Sequence, residues 1–482
     1  MEYTSTRNEK LRVSAAAAIV QGLAPGGGLF VPLEFPQIDC RALAGKSYAE
    51  MAQAVIGAFL PEYSPEFLAA AIGDAYSRFD GKTGELRHVE PGVFSLELWH
   101  GPTSAFKDYA LQLMPKLLVE GKRLLGETQT TKILVATSGD TGKAALAGYA
   151  GLPGIKIAVF YPDHGTSEVQ RLQMATQEGE NVAVFAVRGN FDDAQTGVKR
   201  AFASAELAEA LAARGEQLSS ANSINWGRLV PQIVYYFFAY DRLVSAGAVP
   251  CGQPVDFCVP TGNFGDILAG YYAKRMGLPV GRLICASNKN DVLTEFLRTG
   301  VYDARRPFYK TASPSMDILV SSNLERLLYH VTEDAAQVDA WMRELAQTGR
   351  YQVPPHVLAE IQKTFACGSA SDEEAAAELR RVFAQTGYLM DPHTAVAWRT
   401  ARLAAPQDPC VVLSTADPYK FPASVLAALG ETPDADEFAA MRQLENHTGT
   451  RAPAALAGLR EKPVRFSKVI GPEEIGEAAL SF

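Results

Sequence analysis

The feature that most constrains this chain is a series of short apolar runs set between longer helical stretches. Lys132 to Thr137 (KILVAT), Ile155 to Tyr161 (IKIAVFY), Val182 to Val187 (VAVFAV), Phe257 to Pro260, Leu283 to Ala286 and Cys410 to Ser414 (CVVLS) read as strands, and Val93 to Leu98 alternates as a strand does. Helical patterns follow several of them, from about Asp108 to Gly121, up to about Tyr149, and after Asp266. Strands alternating with helices imply parallel sheets joined by crossover helices. Two of the strand-to-helix turns, around residues 138–142 and 261–266, are rich in Gly, Ser and Thr. Doubly wound sheets bind their ligands at such turns.

The length of 482 residues implies two or three domains. Ala15 to Gln21, Tyr48 to Leu60 and Pro65 to Phe79 space their apolar residues as helices do, so the first ninety residues read as a small helical unit. Ser371 to Thr386 reads as a capped surface helix, and the last forty residues as a polar C-terminal appendage. A net charge of -9 without a basic run argues against a nucleic-acid partner. No stretch has the run of apolar residues a membrane helix needs. The start MEYTSTRNEKLRV does not read as a secretory signal. Six scattered cysteines form no C-x-x-C and no metal-ligand spacing, which fits free thiols in a reduced, cytoplasmic compartment and no metal site.

Four segments carry residue types suited to chemistry. In His100-Gly101-Pro102-Thr103-Ser104-Ala105-Phe106-Lys107-Asp108 a lysine sits among small residues where a strand gives way to a helix. Nearby helix N–H groups and exclusion of water both favour its neutral, nucleophilic amine. A surface lysine beside Asp108 is the competing reading. Thr137 to Lys143 offers hydroxyls and N–H groups at a helix start, either an anion site or an ordinary cap. It is not a nucleotide P-loop, because Thr137 replaces the first glycine and Ala144 follows the lysine. Pro260 to Asp266 has glycines that let a backbone curl around a phosphate, though most such turns are only turns. Ser223-Ile224-Asn225-Trp226-Gly227-Arg228 brings an arginine suited to forked anion contacts near a turn, though on this segment alone a solvent-facing arginine is the favoured reading. His393, in a capping turn, reads as structural.

Taken in order, H-G-P-T-x-A-F-K-D, A-T-S-G-D-T-G, N-S-I-N-W, P-T-G-N-F-G-D, D-P-H-T-A-V and S-T-A, preceded by Tyr3 to Arg7 and by Gly22 to Pro32, make the chain resemble the threonine synthase family over most of its length. The resemblance implies an α/β fold of the tryptophan synthase β-like type, pyridoxal-phosphate fold type II, with two doubly wound open sheets and a small helical N-terminal domain. It implies an N-terminal domain over 1–90, a cofactor-binding catalytic region of two α/β subdomains over 91–425, and an appendage over 426–482. By it, Lys107 carries pyridoxal 5'-phosphate as a Schiff base, with Phe106 beside the ring. Gly262, Asn263, Phe264, Gly265 and Asp266 cradle the cofactor phosphate, and Thr415 faces the pyridine nitrogen. Ser138, Gly139, Asp140 and Thr141 receive the substrate carboxylate. Ser223, Asn225 and Arg228 lie near the substrate phosphate. Asp417 stands where relatives often carry His, so position 417 receives no role.

The activity so implied is conversion of O-phospho-L-homoserine and water to L-threonine and phosphate, by γ-elimination and β-addition, in a monomer or homodimer without nucleic-acid or membrane partners. The alternatives are a phospholyase or dehydratase of the same fold and a catalytically silent protein that binds the cofactor.

Overall fold

The computed structural model describes Met1 to Phe482 except Ser138, Gly165 and Gln407. Ser138, one of the residues expected to meet the substrate carboxylate, therefore lies outside the described residues.

Two open sheets carry the fold. The first runs Phe365–Ser369, Val280–Ser287, Val255–Pro260, Cys410–Ser414, Val93–Glu97, Glu85–Glu90. It is parallel except for its last strand, which turns back against Val93–Glu97. The second, all parallel, runs Val469–Ile470, Val182–Val187, Ile155–Pro162, Thr130–Ala136, Glu216–Ser219. The strands Val182–Val187, Val255–Pro260 and Cys410–Ser414 are buried along their whole length. Helices cover both faces of such strands, so their sequences run apolar without alternation.

The 20-residue helix Trp226–Ser245 sits at the centre, with every residue from Trp226 to Asp241 buried. It packs against Gly265–Arg275 on the first sheet, against the short helix Lys107–Leu111, and against Tyr48–Phe59 of the N-terminal unit. The single helix expected from Asp108 to Gly121 is two, Lys107–Leu111 and Met114–Leu125. Pro115 lacks an N–H and suits a helix start, so the second helix begins there.

The N-terminal unit is not purely helical. Asn8–Ser14, Glu2–Ser5 and Phe30–Pro32 form an antiparallel three-stranded sheet. The strand Asn8–Ser14 is polar and largely exposed, so it lacks an apolar alternation to reveal it. Nor does the unit end at residue 90, because Glu85–Glu90 belongs to the six-stranded sheet. The unit shares one core with the catalytic body: Tyr63 donates its hydroxyl to the carbonyl of Leu117 and Tyr76 to that of Tyr109. The final residues are likewise more than an appendage. Val469–Ile470 extends the second sheet, and Lys132, fully buried, donates to the carbonyl of Ala479 at 3.0 Å.

Candidate active site

Lys107 opens its helix directly after a turn that is zipped to the strand end at Ser414. Ala105 bridges Ala416, the Phe106 N–H donates to the Thr415 carbonyl at 2.9 Å, and the Asp417 N–H donates to the Ser104 carbonyl at 3.1 Å. Phe106 and Thr415, far apart in sequence, are thus neighbours of one lysine. The Lys107 side chain is 12% exposed. Its amine is lowered to about 8: burial is the largest cause, Asp140 and Asp108 pull the other way, and the nearby Lys420 and Arg228 cations add to the lowering. A substantial fraction is therefore neutral near pH 8. The surface-lysine reading fails for a second reason: Asp108 is turned away, accepting from the N–H and hydroxyl of Thr103 and from Gln112. Phe106 lies with its ring centroid 5.6 Å from Nζ.

Asp140 begins the helix Asp140–Tyr149, and its carboxylate is the anion of the site. Lys420 stands 2.5 Å from it, Lys107 3.9 Å, and Gln170 donates to it at 3.2 Å. Burial alone would raise this carboxyl, but the two ammonium groups outweigh it and hold Asp140 ionised well below the usual carboxylate range. Its side chain is therefore unsuited to the expected contact with a substrate carboxylate, which it would repel. Among the described residues of this loop, backbone donors and Thr141 suit that contact. The Gly139 N–H is already capped by the Thr137 hydroxyl at 3.0 Å, as is that of Gly142 at 3.1 Å, so part of this loop serves as an ordinary cap.

The loop from Gly262 to Asp266 links the strand Val255–Pro260 to the helix Gly265–Arg275. Its carbonyls are tied back: Gly262 accepts from Ser321 Oγ, and Asn263 accepts from the N–H and side-chain amide of Asn323. The N–H groups of Gly262, Asn263, Phe264, Gly265 and Asp266 donate to nothing among the described residues. A row of unpaired donors at a helix N-terminus is an anion cradle. A Cβ on Gly262 would stand 2.8 Å from the Ser315 carbonyl oxygen, so the loop needs glycine there. Phe264 holds φ at 62° and is buried against Phe365. Asp266 is the exception in the loop. Its carboxyl points at the hydroxyls of Tyr235 and Tyr236, and burial raises it to about 7 despite those bonds. An acid so directed does not face the cradle, so of this residue only the N–H suits a phosphate.

Arg228 is buried, donates once, to the Ala221 carbonyl at 3.0 Å, and its Nε has no partner among the described residues. Burial lowers it to about 10. No carboxylate pairs with it among the described residues, which is the state of a cation awaiting an anion. Asn225, by contrast, is fully engaged in structure: its amide donates to the Ile19 carbonyl at 2.9 Å, and its oxygen caps the Gly227 N–H at 2.8 Å. Its helix-capping bonds account for it without a ligand. Ser223 is half-buried, and among the described residues its hydroxyl reaches only Asn222. Sequence reasoning places Lys420 in the segment Ser414 to Phe421, at a strand carboxyl end where ligands bind, without a role of its own, and it missed Ser315, whose hydroxyl accepts from Lys107 at 3.2 Å. The lysine following D-P-Y at a strand carboxyl end was a signal for the first; a Pro-Ser-Met turn gave none for the second. Glu85, Glu97 and His100 lie close enough to share an ion, but Arg87 and His100 already pair with Glu97.

A buried lysine with a lowered pKa and a glycine-gated cradle of free amides, both following strands of the six-stranded sheet, fit an enzyme built around pyridoxal phosphate. A model described as pyridoxal-phosphate dependent enzyme matches residues 84–362. Flanking it, models of the threonine synthase N terminus and C-terminal region match residues 2–76 and 394–476. The chain belongs to the threonine synthase family. It is 39% identical over 453 residues to threonine synthase of Pseudomonas aeruginosa, covering 90% of this chain and 92% of that one. The crystal structure of threonine synthase from Brucella melitensis, with pyridoxal phosphate bound, superposes with a TM-score of 0.90 at 39% identity, over 100% of this chain and 99% of the other. Threonine synthase-like 1 of Homo sapiens is 41% identical over 431 residues, 86% of this chain but 57% of its own length, so the chain spans little more than half of that relative. No helix among the described residues is long and apolar enough to cross a membrane.

Proposed function

We propose that the protein converts O-phospho-L-homoserine and water to L-threonine and phosphate in the cytoplasm, acting as a monomer or homodimer. The observation that carries the reading is the uncompensated charge around Lys107. Lys107 and Lys420 share one carboxylate, Asp140, and the nearby Arg228 has no anionic partner among the described residues. Such a site suits a substrate with both a carboxylate and a phosphate, and both groups are present in O-phospho-L-homoserine.

Lys107 is the residue we assign to hold the cofactor, with its phosphate in the Gly262–Asp266 amides, Phe106 beside it and the Thr415 hydroxyl at its ring nitrogen. When bound, pyridoxal phosphate supplies the conjugated ring that takes up the electron pair left at the substrate α-carbon. The Lys107 amine takes that proton and returns it after water has added at Cβ, which its lowered pKa permits near neutrality. Loss of a Cβ proton expels phosphate from Cγ, where Arg228, with Ser223 at the edge, meets it, and Cγ takes up a proton before water adds at Cβ. The Thr141 side of the helix Asp140–Tyr149 N-terminus meets the α-carboxylate.

The test follows phosphate and threonine together after O-phospho-L-homoserine is added to the purified protein with its cofactor. Equal release of both is the expected result. Phosphate with a keto acid in place of threonine would convert the assignment to a lyase of the same family.

A further inference from the structure

Three segments that are far apart in sequence meet at Ser315. Its hydroxyl accepts from Lys107 Nζ at 3.2 Å. Its carbonyl is the oxygen that a Cβ on Gly262 would strike. Its backbone N–H donates to His393 Nε2 at 3.1 Å. That last bond fixes the histidine, since an N–H can only donate. Nε2 must therefore carry a lone pair, and the ring proton must sit on Nδ1, which lies 2.5 Å from Asp391 Oδ2. Asp391 in turn is held by the backbone N–H groups of His393 and Thr394 and by the Thr394 hydroxyl, and is fully buried. On its other side the Ser315 turn is pinned by Asn288, which donates to Thr311, to Ser313 and to Asp317.

We propose that Ser315 is the positioning residue for Lys107, and that His393 and Asp391 act through it to fix where the lysine amine points. The assignment rests on Lys107 being the cofactor-binding lysine, as proposed above. A lysine stem has four rotatable bonds, and an amine must meet a carbonyl carbon along a restricted direction. A fixed acceptor on one side of Nζ removes most wrong orientations before reaction. The same turn packs on Gly262, so the seat of the lysine and the cradle for the phosphate are set by one rigid segment. His393, read from sequence as structural, thereby becomes a structural residue with a catalytic consequence.

The experiment uses the full-length protein stripped of cofactor. The association rate with pyridoxal phosphate is followed by absorbance, and the acetylation rate of Lys107 by acetic anhydride is followed by peptide mass spectrometry. Ser315→Ala is expected to slow pyridoxal phosphate association about tenfold, the cost of a lost orientation, and Ser315→Thr, which keeps the hydroxyl, to restore it. His393→Ala is expected to slow it too, and the double variant Ser315→Ala/His393→Ala to be no slower than Ser315→Ala alone. Acetylation of Lys107 should change little, because acetic anhydride is held by no cradle and can turn to meet the amine wherever it points. Association at the wild-type rate in Ser315→Ala, or effects that multiply in the double variant, would overturn the proposal. A wild-type protein that takes up no pyridoxal phosphate would instead remove the assignment of Lys107 on which it rests.

Discussion

Lys420 and Lys107 are coupled through a single carboxylate. Lys420, fully buried, sits 2.5 Å from one oxygen of Asp140, while Lys107 lies 3.9 Å from the other. Lys420 also donates to the Thr103 carbonyl at 3.0 Å, so it cannot swing away. It serves as a fixed charge that shares Asp140 and keeps Lys107 from being locked into the protonated form.

Removing that charge should make Lys107 harder to deprotonate. In the wild-type protein the rate of pyridoxal phosphate uptake by the cofactor-free protein should rise with pH through about 8, where Lys107 loses its proton. In Lys420→Met the Lys420 repulsion is gone and Asp140 pairs with Lys107 alone, so the midpoint moves to higher pH. A midpoint that stayed in place would deny Lys420 this role. Lys107→Ala should take up no cofactor absorbance and show no turnover.

Arg228→Ala should separate binding from stability. Loss of a charged hydrogen bond to the substrate phosphate weakens its binding by roughly 1.5–3 kcal/mol, read as a rise in KM and weaker inhibition by inorganic phosphate. The melting temperature should hold or rise, because a buried cation without a counter-anion leaves the protein. A large stability loss with unchanged KM would mark Arg228 as structural.

Asp266→Asn addresses the acid in the cradle loop. Burial raises Asp266 to about 7, above its value of about 4 when unfolded. The folded protein therefore holds an extra proton between those values, and this group's contribution to stability falls as pH rises from about 4 to about 7. The variant lacks that loss. Its melting temperature relative to wild type should climb across this window and level off above it, and a flat difference would show that the acid is not perturbed.

Gly148→Ala tests the packing that brings the two lysine partners together. A Cβ at Gly148 would come within 1.8 Å of the Leu111 carbonyl oxygen, and backbone cannot yield as a flexible side chain can. The helices Lys107–Leu111 and Asp140–Tyr149 would be forced apart, at a cost of about 1–3 kcal/mol. Chemical denaturation measures the cost, and pyridoxal phosphate affinity should drop with it.

The parallel strands were legible because burial on both faces leaves an unbroken apolar word, as in VAVFAV at Val182–Val187. Edge strands were not. Glu216–Ser219 and most of Phe365–Ser369 are half-exposed and mix polar residues, so neither periodicity nor apolar density marks them. The central helix Trp226–Ser245 hid for another reason: its polar residues Arg228 and Gln232 are buried with the rest, and Pro231 inside it reads as a helix breaker. Among site residues, glycine-rich turns and the lysine motif could be read locally. The engagement of Asn225 by Ile19, the turning of Asp266 toward Tyr235, and the seat that Ser315 gives Lys107 depend on partners that only the fold brings near.

The strand pairing that seats Lys107 also orders events in time. Val93–Glu97 lies beside Cys410–Ser414, and Ala105 bridges Ala416. A ribosome that has just released the lysine motif has some three hundred residues still to translate before the strand that closes the turn exists. The turn before Lys107 cannot make its bonds to Thr415, Ala416 and Asp417 before then, and closing so long a loop comes late in folding. Capture of the cofactor is therefore an event of the finished chain, and half-made copies of this enzyme should pass through the cell without drawing on its pool of pyridoxal phosphate.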